Sequence, residues 1–236
     1  MKQLIISLFS LLLLTNCKGQ VKSPDKKQTA AKVAVEIVSD SLFDFEKEKI
    51  ATLPAHWSEY FTGKGESTKW RITTIDGDKV LTQLSDNQPN YHFNEVVYDD
   101  ITLKNVQLSV KMKALSGRKD QGGGFVWRFI DKNNYYVVRA NPLEDNVVLY
   151  KVKNGIRTDL PLIGKGKTYG VDVKPMGKVW NELQLIVKDT IFTVYLNGEQ
   201  LFQVEDTTFT KAGKVGLWTK ADAVTSFDDF KINGIK

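Results

Sequence analysis

Residues 122–152 read GGGFVWRFIDKNNYYVVRANPLEDNVVLYKV, and within them Arg128, Tyr135, Arg139, Asn141, Asn146 and Tyr150 recur at spacings that place them on one surface. Arginine and asparagine offer donors and an acceptor to hydroxyls or carboxylates, and tyrosine adds a ring and a hydroxyl. That chemistry suits a polyhydroxylated ligand. The plainer alternative is a solvated face on which arginine stacks on tyrosine, although lysine, glutamate and threonine would serve such a face as well.

Other groups that could do chemistry are scattered. In VGLWTKAD, Leu217 is expected inside, which turns Trp218 and Lys220 to the opposite face, where Trp218 is either a sugar platform or filling at the sandwich edge. Glu144 and Asp145 sit in the turn PLEDN, where one could act as acid or base, and where both equally well end a strand. Glycoside hydrolysis needs a pair of carboxylates at a set separation, and the E-x-D-x-x-E or E-x-D-x-E strand motif of family 16 glycoside hydrolases is absent. His56 and His92 have no Cys or second His at metal spacing, which argues against zinc. Asp44, Glu46, Asp228 and Asp229 fall in the first and last strands and could ligate a structural Ca²⁺; solvated or turn-capping carboxylates are the plainer reading. No cofactor is called for otherwise.

These side chains need strands to hold them. VQLSVKMK from Val106 alternates cleanly, and LQLIVKDTIFTVYLNGEQLFQV from Leu183 reads as three strands with turns at Lys188-Asp189-Thr190 and Asn197-Gly198. Trp180, leading one of these strands, is expected in the core. Helical periodicity is nearly absent, with a single turn hinted at 46–52. Many short strands with polar turns predict an all-β antiparallel sandwich or barrel. If the turn 131–134 sets Ile130 opposite Tyr135, then Arg128 faces Val137 and Val126 faces Arg139. The turn 142–145 sets Asn141 opposite Asn146, so Arg139 faces Val148 and Val137 faces Tyr150. Alternate residues share a face. One face then carries the six polar residues, Arg139 among them as a solvent-facing side chain that folding does not need. The other carries Phe125, Trp127, Phe129, Tyr136, Val138, Ala140, Val147 and Leu149 as core. A one-residue slip would redistribute them all.

Taken together, GGGFVWRF, NYYVVRAN, NVVLYKVKNGIR, VWNELQLIV, the VYLNGEQL hairpin and AGKVGLWTKADAVTSFDDFKI resemble a concanavalin A-like, laminin-G-like jelly-roll β-sandwich, and within it the bacterial group labelled 3-keto-disaccharide hydrolase or domain of unknown function. The resemblance covers roughly residues 40–236. It implies a ligand surface on the concave sheet, and an activity on a modified (3-keto) disaccharide or polysaccharide. It does not decide among glycan binding, glycoside hydrolysis and a protein-binding adhesion domain without a small ligand, because this architecture hosts all three.

The chain opens MKQLIISLFSLLLLTNC, with an apolar run from Leu4 to Leu14 that is too short to span a bilayer and has the layout of a signal peptide. Leu14-Thr15-Asn16-Cys17 resembles a bacterial lipobox, with Asn a looser fit before the cysteine than Gly or Ala. Residues 1–16 are accordingly expected to be a lipoprotein signal and residues 17–39 a lipid anchor at Cys17 and a flexible basic tether, with the folded domain over 40–236. Lys18–Lys32 holds five lysines and one aspartate, so the high pI belongs to this segment and the rest is close to neutral. A nucleic-acid partner needs a basic patch on the folded part, and the bulk charge supports none, so no nucleic acid is expected. Glycan and, through the lipid, a membrane remain, in the bacterial cell envelope; nothing in the sequence indicates an oligomer.

Overall fold

The computed structural model describes residues 36–236, so the signal peptide, Cys17 and most of the tether lie outside the described residues. The architecture is all-β, two antiparallel eight-stranded sheets packed as a sandwich. The first sheet runs β14 (Glu199–Glu205), β13 (Ile191–Leu196), β12 (Asn181–Lys188), β6 (Val106–Ser116), β16 (Val224–Ile235), β4 (Asp78–Gln83), β3 (Trp70–Ile75), with β1 (Ile37–Phe43) paired to β16. The second runs β10 (Ile156–Asp159), β9 (Asn146–Lys153), β8 (Asn134–Asn141), β7 (Gly123–Asp131), β15 (Gly213–Lys220), β5 (His92–Leu103), β2 (Trp57–Gly63), with β11 (Val171–Asp172) paired to β9. Pairing begins at Ile37, three residues before the expected domain start at 40 and inside the segment expected to be tether, because Ile37 and Ser39 to Phe43 extend the last strand's ladder.

Alternation builds the core. Val106, Leu108, Val110 and Met112 of β6 pack with Phe125, Trp127, Tyr136, Val138 and Leu149 of the facing sheet. Each such side chain contributes roughly 1.5–3 kcal/mol when fully buried. Asn197-Gly198 and Asn154-Gly155 both take positive φ at both residues and close two-residue hairpins, β13–β14 and β9–β10. Trp180 is only half-buried, with the Lys113 ammonium over its ring, and is not part of the core.

The β8–β9 register is as the turn length dictates: Asn141 opposite Asn146, Arg139 opposite Val148, Val137 opposite Tyr150. The β7–β8 register is not. Val126 pairs with Val137 and Trp127 with Tyr136, and the ladder slips before Asp131 meets Asn134. The slip is a bulge at Arg128, whose φ of 47° lies in the left-handed region. Faces before the bulge are kept because the offset is even. Beyond it they change. Phe129, expected between the sheets, joins the outer-face cluster, and Arg128 leaves the polar face altogether. Its guanidinium lies over the core ring of Phe192 and donates to the carbonyls of Phe209 (2.7 Å), Lys104 (3.0 and 3.2 Å) and Asp189. Arg128 is therefore a tie among three connecting segments and not a ligand-facing group.

Candidate functional site

The outer face of the second sheet is not the open polar surface that alternation suggests. Tyr135, Val137, Val148, Tyr150, Val152, Phe93, Val97, Val126, Phe129 and Trp218 form a second buried apolar cluster there. Trp218 is fully buried, so it is no exposed platform. One cross-strand row runs Tyr60, Glu95, Trp218, Gly124, Arg139, Val148. Gly124 is required in that row: a Cβ would meet the Val138 carbonyl at 2.0 Å.

Arg139 is 2% exposed. Its Nη1 donates to Asn146 Oδ1 and to the Asn146 carbonyl (3.2 Å), and its Nη2 to Glu144 Oε2 (2.7 Å), Tyr150 Oη (3.3 Å) and Tyr169 Oη (3.4 Å). Burial works against its charge, but the Tyr150 hydroxyl and the Glu144 and Asp120 carboxylates outweigh that and leave its pKa above the ordinary arginine value. Asp120 is buried beside it, accepting from Gly122 N (2.7 Å), Asn141 Nδ2 (3.3 Å) and Lys220 Nζ (2.7 Å). Arg139, Asn141, Asn146, Tyr150 and Lys220 are thus brought together, largely by one another. Asp145 is turned away, accepting from Met176 N through Oδ1 and from Val173 N through its carbonyl. Glu144 keeps a side chain 39% exposed.

Tyr135 lies on the same face but serves a different group. Its hydroxyl and that of Thr62 both reach Glu95 Oε1, at 2.7 and 2.8 Å, and Glu95 Oε2 is buried without a partner. Burial pushes the Glu95 pKa up to about 8 against those bonds. Sequence reasoning passed over Glu95, although HFNEV alternates and sets it beside Phe93 and Val97.

Three further residues complete the surface that reaches solvent. Through the Asn154-Gly155 hairpin Arg157 pairs with Val152, which returns it to the outer face. Its guanidinium lies 4.4 Å from the Tyr150 ring centroid and 4.8 Å from that of Phe93. The Tyr91 hydroxyl accepts from Arg157 N (2.8 Å) and donates to the Gly155 carbonyl (3.0 Å). Tyr169 contacts Tyr150 through hydroxyls 2.8 Å apart. Gly170, at φ 67°, allows that contact, since a Cβ would sit 2.2 Å from the Val147 carbonyl. Tyr91 and Tyr169 are 45% and 53% exposed. The result is a strip of Tyr91, Arg157, Tyr150, Tyr169, Arg139 and Glu144. Extending the register through the Asn-Gly turn would have found Arg157; Tyr91 and Tyr169 come from loops and carry no such signal. Two depressions of about 370 and 360 Å³ lie elsewhere, lined by residues including Asp172 and Leu196 in one and Phe43 and His56 in the other.

The remaining candidates do not converge. Among the described residues no three His, Cys, Asp or Glu side chains are grouped to hold a metal ion. Asp44 caps Glu46 N, Glu46 accepts from Lys79 N, Asp228 accepts from Asp229 N, and Asp229 pairs with Lys111. The carboxylates expected around Ca²⁺ are therefore turn caps and ion-pair partners. His56 pairs with Asp100, and His92 is buried against the Lys64 carbonyl.

A family model described as galactocerebrosidase, C-terminal lectin domain, matches residues 97–235. No curated protein matches the chain. Among solved structures, a carbohydrate-binding module from Bacillus subtilis is 18% identical, with a TM-score of 0.57 over 75% of this chain and 94% of that one. A cellulose-induced protein is 11% identical, with a TM-score of 0.56 over 81% and 96%. The fourth domain of an extracellular arabinanase from Geobacillus stearothermophilus, solved with arabinotriose, is 14% identical, with a TM-score of 0.51 over 85% and 94%. At these identities the likeness is one of fold.

Proposed function

The chain belongs to the galactocerebrosidase C-terminal lectin domain family, and on that footing we propose that it binds glycan through the strip on the outer face of its second sheet. The observation that carries this reading is the Arg157 guanidinium stacked on Tyr150 between two exposed tyrosines. Tyrosine rings pack on the apolar faces of sugar rings, and guanidinium, carboxylate and phenol groups exchange hydrogen bonds with hydroxyls. Arg139, Asn141 and Asn146 act from beneath, holding Tyr150, Tyr169 and Glu144 in place. The module is held to the bacterial envelope by acyl chains on Cys17 and spaced from it by the basic segment, whose lysines suit anionic headgroups.

A glycan array probed with wild type and with Tyr169→Ala tests the site. Binding that Tyr169→Ala leaves untouched places the ligand elsewhere, and no binding to any glycan removes the reading. Incubating each bound glycan and analysing its products tests hydrolysis of a 3-keto or other sugar with Glu144 as the acid; an intact ligand removes that alternative.

A further inference from the structure

The strip's ligand carries an anionic group, we infer, and Arg157 is the residue that engages it; this rests on the glycan reading above. Other arginines of the domain give side-chain donors to protein groups. Arg71 pairs with Glu59, Arg128 is spent on three carbonyls, and Arg139 is spent on Asn146 and Glu144. Arg157 is positioned differently, by two rings against its guanidinium and by Tyr91 Oη on its backbone N–H. Yet among the described residues no carboxylate lies within ion-pair distance of it, and none of its side-chain donors has a hydrogen-bond partner.

A guanidinium carries its five N–H donors in its own plane. With its carbon 4.4 and 4.8 Å from the two ring centroids and no protein acceptor on its donors among the described residues, Arg157 has those donors left for a ligand. Their fork matches a carboxylate or sulfate with two parallel charge-assisted bonds, stronger than bonds to neutral hydroxyls. Asp159, two residues on and opposite Tyr150, makes no ion pair with Arg157 among the described residues and is placed to accept from hydroxyls of the same sugar. Tyr91 and Tyr169 then flank the acidic unit. The ligand class is a glycan bearing uronate carboxylates or sulfate esters.

The test uses the full chain and matched polymers: polygalacturonate against its carboxyl-reduced form, and a sulfated galactan against its desulfated form. The acidic member of at least one pair is expected to bind roughly tenfold or more tightly than its neutral partner; which pair shows the effect separates carboxylate from sulfate. Arg157→Gln should abolish the difference while the protein stays folded by circular dichroism, and Arg157→Lys, which keeps the charge but not the planar fork, should restore part of it. A preference for the acidic polymer that survives Arg157→Gln overturns the inference. Equal binding of acidic and neutral polymers overturns it as well, and leaves the glycan reading standing. Failure to bind these polymers or any glycan on an array overturns both.

Discussion

The Glu144 carboxylate lies 2.7 Å from the Arg139 Nη2 and joins a half-exposed acid at the rim to a guanidinium that is almost wholly buried. Losing the two partners should have different effects. Arg139→Ala opens a cavity and strands Asn146 Oδ1, so a loss of about 2–4 kcal/mol is expected. Glu144→Gln leaves an acceptor in place at a site open to solvent and should lose about 1 kcal/mol or less. Urea unfolding of both measures this, and equal effects would show that Arg139 is not held as described.

Glu95 gives the domain a pH dependence with a definite sign. Its folded pKa of about 8 lies above the ordinary value of 4.5. Between those values the folded protein keeps a proton that the unfolded chain has released, so stability falls as pH rises through this window and levels off above it. The loss is on the order of 5 kcal/mol at most. Glu95→Gln should flatten the profile and be the more stable protein at alkaline pH. Denaturation midpoints that are as flat in wild type as in the variant would contradict this.

Gly170→Ala tests the placement of Tyr169. The added methyl meets the Val147 carbonyl at a φ that side chains avoid, so the segment carrying Tyr169 must shift. Glycan affinity should drop by about tenfold, and stability by about 1–3 kcal/mol from the strained backbone, whereas Tyr169→Ala, at a half-exposed loop residue, should lose the affinity with little change in melting temperature. Isothermal titration beside a thermal scan reads both; unchanged affinity would remove Tyr169 from the site.

Trp127→Ala is expected to lose about 3–5 kcal/mol, because its ring sits between the sheets against Tyr136 and Phe192. Its indole N–H has no partner, so Trp127→Phe should lose far less. A melting temperature unchanged by Trp127→Ala would put that strand's faces the wrong way round.

Cys17→Ser tests the proposed anchor. The variant should move to the soluble fraction or stall in processing, and the wild-type mass should include acyl chains, each adding about 0.8 kcal/mol of membrane affinity per buried methylene. A soluble wild type without acyl mass would remove the anchor.

The core strands were legible because alternation and turn length act locally. A four-residue turn with Asn141 opposite Asn146 determined the whole β8–β9 pairing. The Arg128 bulge was not, since a non-glycine residue in the left-handed region leaves no mark in the sequence, and it misplaced both Arg128 and Phe129. The burial of Arg139 was equally hidden. Alternation tells which face a side chain takes, but the groups that enclose Arg139 include Tyr169, thirty positions away in a loop. Arg157 was within reach, two positions past an Asn-Gly turn whose geometry is among the most recognisable.

The pairing of β1 with β16 has a mechanical side. A pull on the chain ahead of Ile37 meets Glu36, tied to Lys236, and then the ladder from Ile37 to Phe43. The strand that takes up this load is bonded to β6 along most of its length and to β4 near its start, so it is no free edge. Force applied at the N-terminal side therefore spreads into the interior of the first sheet, and the strip on the second sheet stays off the direct line of tension.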